Sequence, residues 1–406
     1  MKIGFFTSIE GWGGSEIQLL TLMEGLRNVG HNPVLYGIGG TRLCEECRAR
    51  GIQQVAWKTV PRPFQINCGT ESLADRGNSK SLRRRLRGLI PVSARLLFGN
   101  AKEVWRLVRL FRQNPCDVMH VSVNGYELAG LACWIVGIPS LAWHCIMPER
   151  DPLPIRRWLI RWTNRCYSKM GGVSKTCIDA WRQWCRFESS QCCWVWNGID
   201  VSHFLAEEVN GRFERRPFVV LAVGRLHPMK GFTHLIRAFA SLKDEDVVLR
   251  IAGEGNQEKE LRGLVGDLGL GNRVEFLGHQ EDVRCLYVEA SCFVLPSVSH
   301  ESFGLVLAEA MASGLPVITS DFGPLPEINI HGETGLVVPA GDPSALAMAI
   351  RQLMGDVSLA KRMGMAGRQR AQKCFSQDRM VREMVVLYEE LVKRGKCAQG
   401  EKVNNG

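Results

Sequence analysis

Glu301 and Glu309 stand eight residues apart, with Ser302-Phe303-Gly304 between them and Pro296-Ser297-Val298-Ser299-His300 ahead of them. The apolar pattern from Leu305 to Met311, stopped by Gly314-Leu315-Pro316, predicts a helix. The first N–H groups of a helix have no intrahelical partner, so those of Ser302, Phe303 and Gly304 should point out of its first turn. A carboxylate beside free amides can hold a polyhydroxylated ring, accepting from hydroxyls and donating to them. Glu309 lies about 12 Å further along if the whole stretch is helical, within reach of another part of an extended ligand, such as a ribose. The plainer alternatives are a charge at Glu301 that steadies the helix dipole and an ordinary helix acid at Glu309.

Three further turns carry residue types suited to an anion. Gly224-Arg225-Leu226-His227-Pro228-Met229-Lys230-Gly231 follows an apolar run. Arg225 and Lys230 flank a turn that opens a helix, and two fixed cations there suit a diphosphate; the alternative is a solvated surface pair. Gly11-Trp12-Gly13-Gly14-Ser15 also follows an apolar run. Gly13 and Gly14 let backbone N–H groups approach an anion, or simply make a tight turn. No Lys-Ser or Lys-Thr follows as in a P-loop, and the third glycine of the dinucleotide fingerprint is missing. Gly253-Glu254-Gly255 permits close approach of a ligand or of a second domain, and by itself is only a turn.

The elements that must position these turns alternate between strand and helix. Ile3–Thr7, Pro33–Tyr36, Val118–Val121, Leu141–His144 and Lys169–Val173 read as strands, and Ile17 to Leu26 as a helix. A second alternation places strands at Phe218–Val223, Val247–Ala252, Val274–Phe276, Cys292–Leu295 and Pro316–Thr319, with helices at Thr233–Leu242 and Ala345–Met354. The second of these helices is capped by Asp342. This is an α/β pattern of parallel sheets covered by helices, whose ligands bind beyond the carboxyl ends of the strands. A length of 406 residues favours two domains. The boundary falls near Asn197-Gly198-Ile199-Asp200 and Asn210-Gly211. The expected division is 1–205, 206–378, a helix over 379–394 packing back on the N-terminal domain, and a disordered tail over 395–406.

Residues 1–200 hold 27 basic and 15 acidic side chains, whereas residues 201–406 hold 24 and 26. Much of the excess lies in 79–113, where Arg83, Arg84, Arg85, Arg87, Lys102, Arg106 and Arg109 alternate with Leu89, Ile90, Leu96, Leu97, Phe98, Trp105, Leu107, Leu110 and Phe111. Such a segment can attract anionic lipid headgroups and dip apolar side chains into the interface, or be a solvated loop and helix. No nucleic-acid module accompanies the charge. The start, a short apolar run between Lys2 and Glu10, is expected to be a first strand and not a signal peptide. The longest charge-free apolar stretch, Leu128 to Trp143, is too short to span a bilayer. The 15 cysteines are scattered; Cys44 and Cys47 form the one CxxC, without a second ligand pair for zinc. Buried, reduced thiols are expected, and with them a cytoplasmic protein that docks peripherally at the cytosolic face of a membrane.

Taken in order, these motifs resemble the retaining glycosyltransferases of family 4, which have the GT-B fold. The resemblance is carried by VGRLHPMKGF (223–232), LRIAGEGN (249–256), VEFLGH (274–279), PSVSHESFGLVLAEAMASGLPVITSD (296–321) and GETGLVVPAGD (332–342). It is looser through GWGGSE (11–16), AWHC (142–145), GVSK (172–175) and NGID (197–200). It implies two Rossmann-like domains facing across a cleft, and transfer of a sugar from a UDP- or GDP-sugar to a glycan or lipid-linked acceptor. Arg225 and Lys230 would hold the diphosphate. Glu301 would bind hydroxyls of the transferred sugar, and the amides of Ser302 to Gly304 would orient it. Glu309 would bind the ribose, Gly13 and Gly14 would close over the phosphates, Gly253 would approach the nucleotide, and His144 would contact the sugar near the reacting centre. Two departures are Cys145, where the family often has Asp or Gly, and Ser122, where it often has a second His after His120, itself taken as structural.

No cofactor and no metal are expected. The one Asp-x-Asp, Asp244-Glu245-Asp246, precedes a strand and so falls at the wrong end of the sheet. The competing readings are a nucleotide-sugar 2-epimerase, which would need further acid/base carboxylates, and a non-catalytic sugar-nucleotide binding module, against which the four site residues argue together. A nicotinamide dehydrogenase is disfavoured for want of a complete GxGxxG.

Overall fold

The computed structural model describes residues 1–8, 11–57, 92–122, 128–148, 161–205, 211–214 and 216–404. Arg83, Arg84, Arg85, Arg87, Leu89, Ile90 and Asn210 lie outside them. The first sheet has strands β1 (Lys2–Phe6), β2 (Asn32–Ile38), β3 (Gln53–Trp57), β4 (Val118–Ser122), β5 (Ser140–His144), β6 (Lys169–Gly172) and β7 (Cys192–Trp194). The second has β8 (Phe218–Val223), β9 (Val247–Ala252), β10 (Val274–Gly278), β11 (Cys292–Leu295), β12 (Val317–Ser320) and β13 (Gly335–Val338). Their spatial orders are 3-2-1-4-5-6-7 and 10-9-8-11-12-13, and every pairing is parallel. Strands covered on both faces need near-continuous apolar sequence, and the inner strands β4, β5, β11 and β12 are buried throughout. Each sheet reverses its winding once, between β1 and β4 and between β8 and β11. Those are the switch points where a doubly wound sheet leaves a crevice.

Three strands escape the sequence reading. They are the sheet-edge strands β3, β7 and β13, which are short or half-exposed and so carry little apolar pattern. Two missed helices owe their starts to caps. Thr41 Oγ1 accepts from the Cys44 amide at the head of Arg42–Ala49, and Ser174 Oγ from the Cys177 amide at the head of Lys175–Cys185. The cap expected at Asp342 is present, its carboxylate accepting from Ser344 N at 2.9 Å and Ala345 N at 3.1 Å.

The last helix runs Gln377–Asn404, so residues 395–404 continue it rather than forming the expected disordered tail. It returns to the first sheet. Gln377 Nε2 donates to the Thr21 carbonyl at 3.0 Å, Lys169 Nζ pairs with Glu390 Oε2 at 2.8 Å, and Met380, Met384, Tyr388 and Leu391 are buried. They share one apolar cluster with Phe5, Leu19, Met23 and Leu26.

The basic helix Val92–Gln113 sorts its residues by face. Leu107, Val108 and Phe111 are buried in the first unit's core, which removes Leu107 and Phe111 from the side chains available to a membrane. Lys102, Trp105, Arg106, Arg109 and Arg112 remain exposed. Among the described residues no helix is long and apolar enough to cross a membrane.

Candidate active site

A cleft of about 400 Å³ lies at the carboxyl ends of both sheets, bounded on one side by residues that follow β1, β5 and β6 together with His120 of β4, and on the other by residues that follow β8 and β11. Two loops of the second sheet build its charged wall. Gly231 closes the turn after β8 with φ +70°, and a Cβ there would sit 2.0 Å from the Pro296 carbonyl oxygen. Only glycine allows this approach. It brings the turn after β8 against the loop after β11, where the Met229 carbonyl accepts from Val298 N at 2.9 Å and Ser299 N at 3.3 Å.

The consequence is an ion pair absent from the sequence reading: Lys230 Nζ lies 2.7 Å from Glu301 Oε2. The same carboxylate oxygen accepts from Ser297 Oγ at 3.0 Å. Glu301 is 7% exposed, so this is a fixed, partly dehydrated carboxylate rather than a mobile surface acid. His300, beside it, takes a left-handed backbone with φ 53°. Such a conformation costs a bulky residue on the order of 1–3 kcal/mol and gathers at functional sites.

The helix after this loop begins at Leu305, with Gly304 as its N-cap. Ser302, Phe303 and Gly304 therefore lead into the helix instead of forming its first turn. Among the described residues their N–H groups have no protein acceptor, and all three border the cleft. The Phe303 side chain turns inward against Phe375, ring centroids 5.6 Å apart. Glu309 borders the cleft one turn deeper, where Tyr287 Oη donates to its Oε2 at 3.0 Å. Burial pushes the Glu309 carboxyl up to about 7, against the opposing pull of the Tyr287 hydrogen bond. Arg225 borders the cleft with an exposed side chain.

Across from this wall, Gly14 and Ser15 border the cleft at the head of the helix Gly14–Asn28, and a Cβ on Gly14 would touch Leu305 Cδ1 at 3.2 Å. Gly13 is that helix's N-cap and does not line the cleft. Gly253 does not line it either. Its φ of +137° and a would-be Cβ 2.0 Å from the Gly224 carbonyl give it a backbone-packing role beneath the Arg225 turn. His144 is fully buried, stacked on Trp181 at 4.1 Å, and likewise does not line the cleft. Burial lowers its pKa to about 3, so the ring is neutral. His120, read as structural, does line the cleft.

The two walls are clasped beside the site. Ser174 Oγ donates to the Ser302 carbonyl at 2.9 Å, and the Glu327 carboxylate accepts from Lys175 N at 3.1 Å and Thr176 N at 2.6 Å. Asp246 sits at the start of β9, its carbonyl accepting from Phe218 N, at the far end of the second sheet from the cleft.

Ser297, Tyr287, His300 and Glu327 join the site in the structure without being singled out by the sequence pattern. Ser297 and His300 sit inside the motif around Glu301, where position alone could have marked them. Tyr287 and Glu327 act across the fold and leave no local signal.

Comparison with known proteins agrees with this geometry. The family model for glycosyl transferases group 1 matches residues 206–370, and that for glycosyltransferase family 4 matches residues 12–203. The phosphatidyl-myo-inositol mannosyltransferase of Mycobacterium leprae is 32% identical over 316 residues, covering 75% of this chain and 82% of that one. An exopolysaccharide phosphotransferase of Streptomyces coelicolor is 42% identical over 174 residues, 42% of this chain; the match spans only 18% of that protein's length. A crystal structure of Anabaena HepE in complex with UDP superposes with a TM-score of 0.77 at 20% identity, covering 96% of this chain and 100% of that one. Two parallel α/β units meeting at such a cleft are the GT-B fold, and the chain belongs to the group 1, family 4 glycosyltransferases.

Proposed function

We propose that the protein transfers a sugar, with retention of configuration, from a UDP- or GDP-sugar to a hydroxyl of a glycan or lipid-linked acceptor in cell-surface polysaccharide or glycolipid synthesis. The observation that carries this reading is the convergence on one cleft of Arg225, the Lys230–Glu301 pair, the unpartnered amides of Ser302 to Gly304 and the half-buried Glu309. Breaking the bond between sugar and phosphate leaves positive charge on the ring and negative charge on the diphosphate. Stabilising that departing anion is the protein's main task. Arg225 and Lys230 supply fixed positive charge for it. Glu301, held by Lys230 and Ser297, offers its remaining carboxylate capacity to sugar hydroxyls. Glu309 accepts from the ribose. Gly14 and Ser15 present backbone amides from the opposite wall. No side-chain nucleophile is assigned; the departing phosphate takes the proton of the acceptor hydroxyl, which then bonds to the face the phosphate left. His144, stacked on Trp181, acts as a second-layer support in this reading.

The M. leprae relative is named for a lipid acceptor and the Anabaena structure for UDP, and both lend support. The exposed face formed by Lys102, Trp105, Arg106, Arg109 and Arg112 supports docking on an anionic membrane. Calorimetry with UDP and GDP, followed by incubation with labelled nucleotide sugars, tests the assignment; absence of affinity for both nucleotides refutes it. An inverted anomer in the product NMR spectrum would remove retention alone. Flotation with anionic liposomes tests the docking face, which is refuted if binding is insensitive to salt.

A further inference from the structure

The side of the cleft away from the charged wall is lined mainly by apolar residues, Leu19, Leu22, Trp143, Met380 and Met384, with two buried polar side chains, Gln18 and His120, among them. His120 lies on β4 and is 0% exposed. Its ring is wedged by Phe5 at 5.1 Å and Trp143 at 5.5 Å. Its Nδ1 lies 2.8 Å from Tyr388 Oη, and its Nε2 has no protein partner. Tyr388 is itself fully buried, and His120 is its hydroxyl's one hydrogen-bond partner among the described residues.

That pairing decides where the imidazole proton sits. If Nδ1 carried it and donated to Tyr388, the phenolic O–H would be left buried without an acceptor, the costlier arrangement. With the phenol donating to Nδ1 that hydrogen bond satisfies the phenol, and the proton is placed on Nε2, whose N–H is then the one donor of the pair left open. Burial lowers the His120 pKa to about 3, so the ring carries no charge. A neutral N–H amid walls that are mainly apolar and, apart from it, hold only the neutral Gln18 amide suits an uncharged oxygen flanked by apolar groups, and disfavours a carboxylate or phosphate, which would enter without a counter-charge.

We infer that His120 is a specificity-determining contact on the acceptor side of the cleft, donating from Nε2–H to an uncharged hydroxyl oxygen of an acceptor with an apolar flank, and that Tyr388 of the C-terminal helix is the positioning residue that fixes its tautomer. The inference rests on the sugar-transfer reading and deepens it by naming the acceptor class. It makes the C-terminal helix part of the site, through Met380 and Met384 as wall and Tyr388 as support.

The test uses the full chain labelled with ¹⁵N-histidine, with UDP present and n-octyl β-D-glucoside below its micellar concentration as the probe. Long-range ¹H–¹⁵N correlation should show His120 as the Nε2–H tautomer, with that resonance shifting on addition of the glucoside and not of octyl phosphate. Tyr388→Phe, which removes one oxygen, should weaken glucoside affinity about fivefold while leaving UDP affinity unchanged, and His120→Phe should abolish glucoside binding. An Nδ1–H tautomer, an Nε2–H signal unmoved at saturating glucoside, or no glucoside binding by the wild-type protein overturns the inference. UDP affinity in the wild type together with unaltered glucoside affinity in both variants overturns the inference alone; no nucleotide affinity at all overturns the transfer reading beneath it.

Discussion

Glu309 gives nucleotide-sugar binding a pH dependence that can be worked out beforehand. Its carboxyl is held up to about 7 by burial, from an ordinary 4.5. To accept from two ribose hydroxyls it must be ionised, so binding draws the proton off. If only the ionised form binds, the apparent Kd is multiplied by one plus the ratio of protonated to ionised carboxyl. That factor is about 11 at about pH 6 and about 1.1 at about pH 8, so affinity should rise about tenfold across the interval. The probe should be an intact UDP- or GDP-sugar, whose phosphodiester oxygens do not titrate in this range. Calorimetry in two buffers of different ionisation enthalpy then counts the protons released. Glu309→Gln should abolish both the slope and the proton release. Tyr287→Phe, which removes the hydrogen bond that favours the ionised form, should move the midpoint upward by about one unit. The same group acts on folding with its own sign. Because the folded pKa lies above the unfolded one, the native state binds more protons between 4.5 and about 7, and stability falls as pH rises through that window, by about 3 kcal/mol in all. A flat affinity profile, or a slope that survives in Glu309→Gln, would refute the assignment of Glu309 to the ribose.

Other substitutions report on separate parts of the site. Lys230→Met should raise the Kd for the nucleoside diphosphate at least tenfold by calorimetry, and lower the melting temperature, since Glu301 is left partly buried with Ser297 as its remaining side-chain partner among the described residues. Gly231→Ala must push the Pro296 carbonyl away and adopt φ +70°, so it should cost about 2–4 kcal/mol in urea unfolding and loosen the Lys230–Glu301 pair. Glu327→Ala removes the acceptor of two amides that join the units; it should cost about 1–2 kcal/mol and enlarge the radius of gyration measured by X-ray scattering.

The sequence made some of this legible and concealed the rest for identifiable reasons. Inner strands such as Phe218–Val223 and Cys292–Leu295 announce themselves because both faces are buried and every residue must be apolar. Edge strands do not: of Gln53–Trp57 only Trp57 is buried, and the segment reads as loop. Arg225, Lys230, Glu301 and Glu309 could be selected from local spacing because each follows a strand of the second sheet at its carboxyl end. Their partners could not, since Ser297 apart, those contacts join distant positions, as Tyr287 to Glu309 and Tyr388 to His120 do. The family resemblance points to His144 and not to His120, yet the direction each ring takes depends on Trp181 and Tyr388, which no spacing on β4 or β5 reveals. Gly253 illustrates the reverse error, a glycine required by neighbouring backbone instead of by a ligand.

The return of the segment Gln377–Asn404 to the first sheet has a consequence for how the protein is made. Synthesis runs from the amino end, so the first sheet and its flanking helix emerge long before the side chains that cover Phe5, Leu19 and Leu26 exist. Until Val381, Met384 and Tyr388 leave the ribosome, that face stays uncovered, and the notch at Gly25, where an added Cβ would meet Val381 Cγ2 at 2.3 Å, stays unfilled. The amino-terminal half is thus unsuited to expression as an independent fragment, and chaperone demand should peak while the second sheet is being translated.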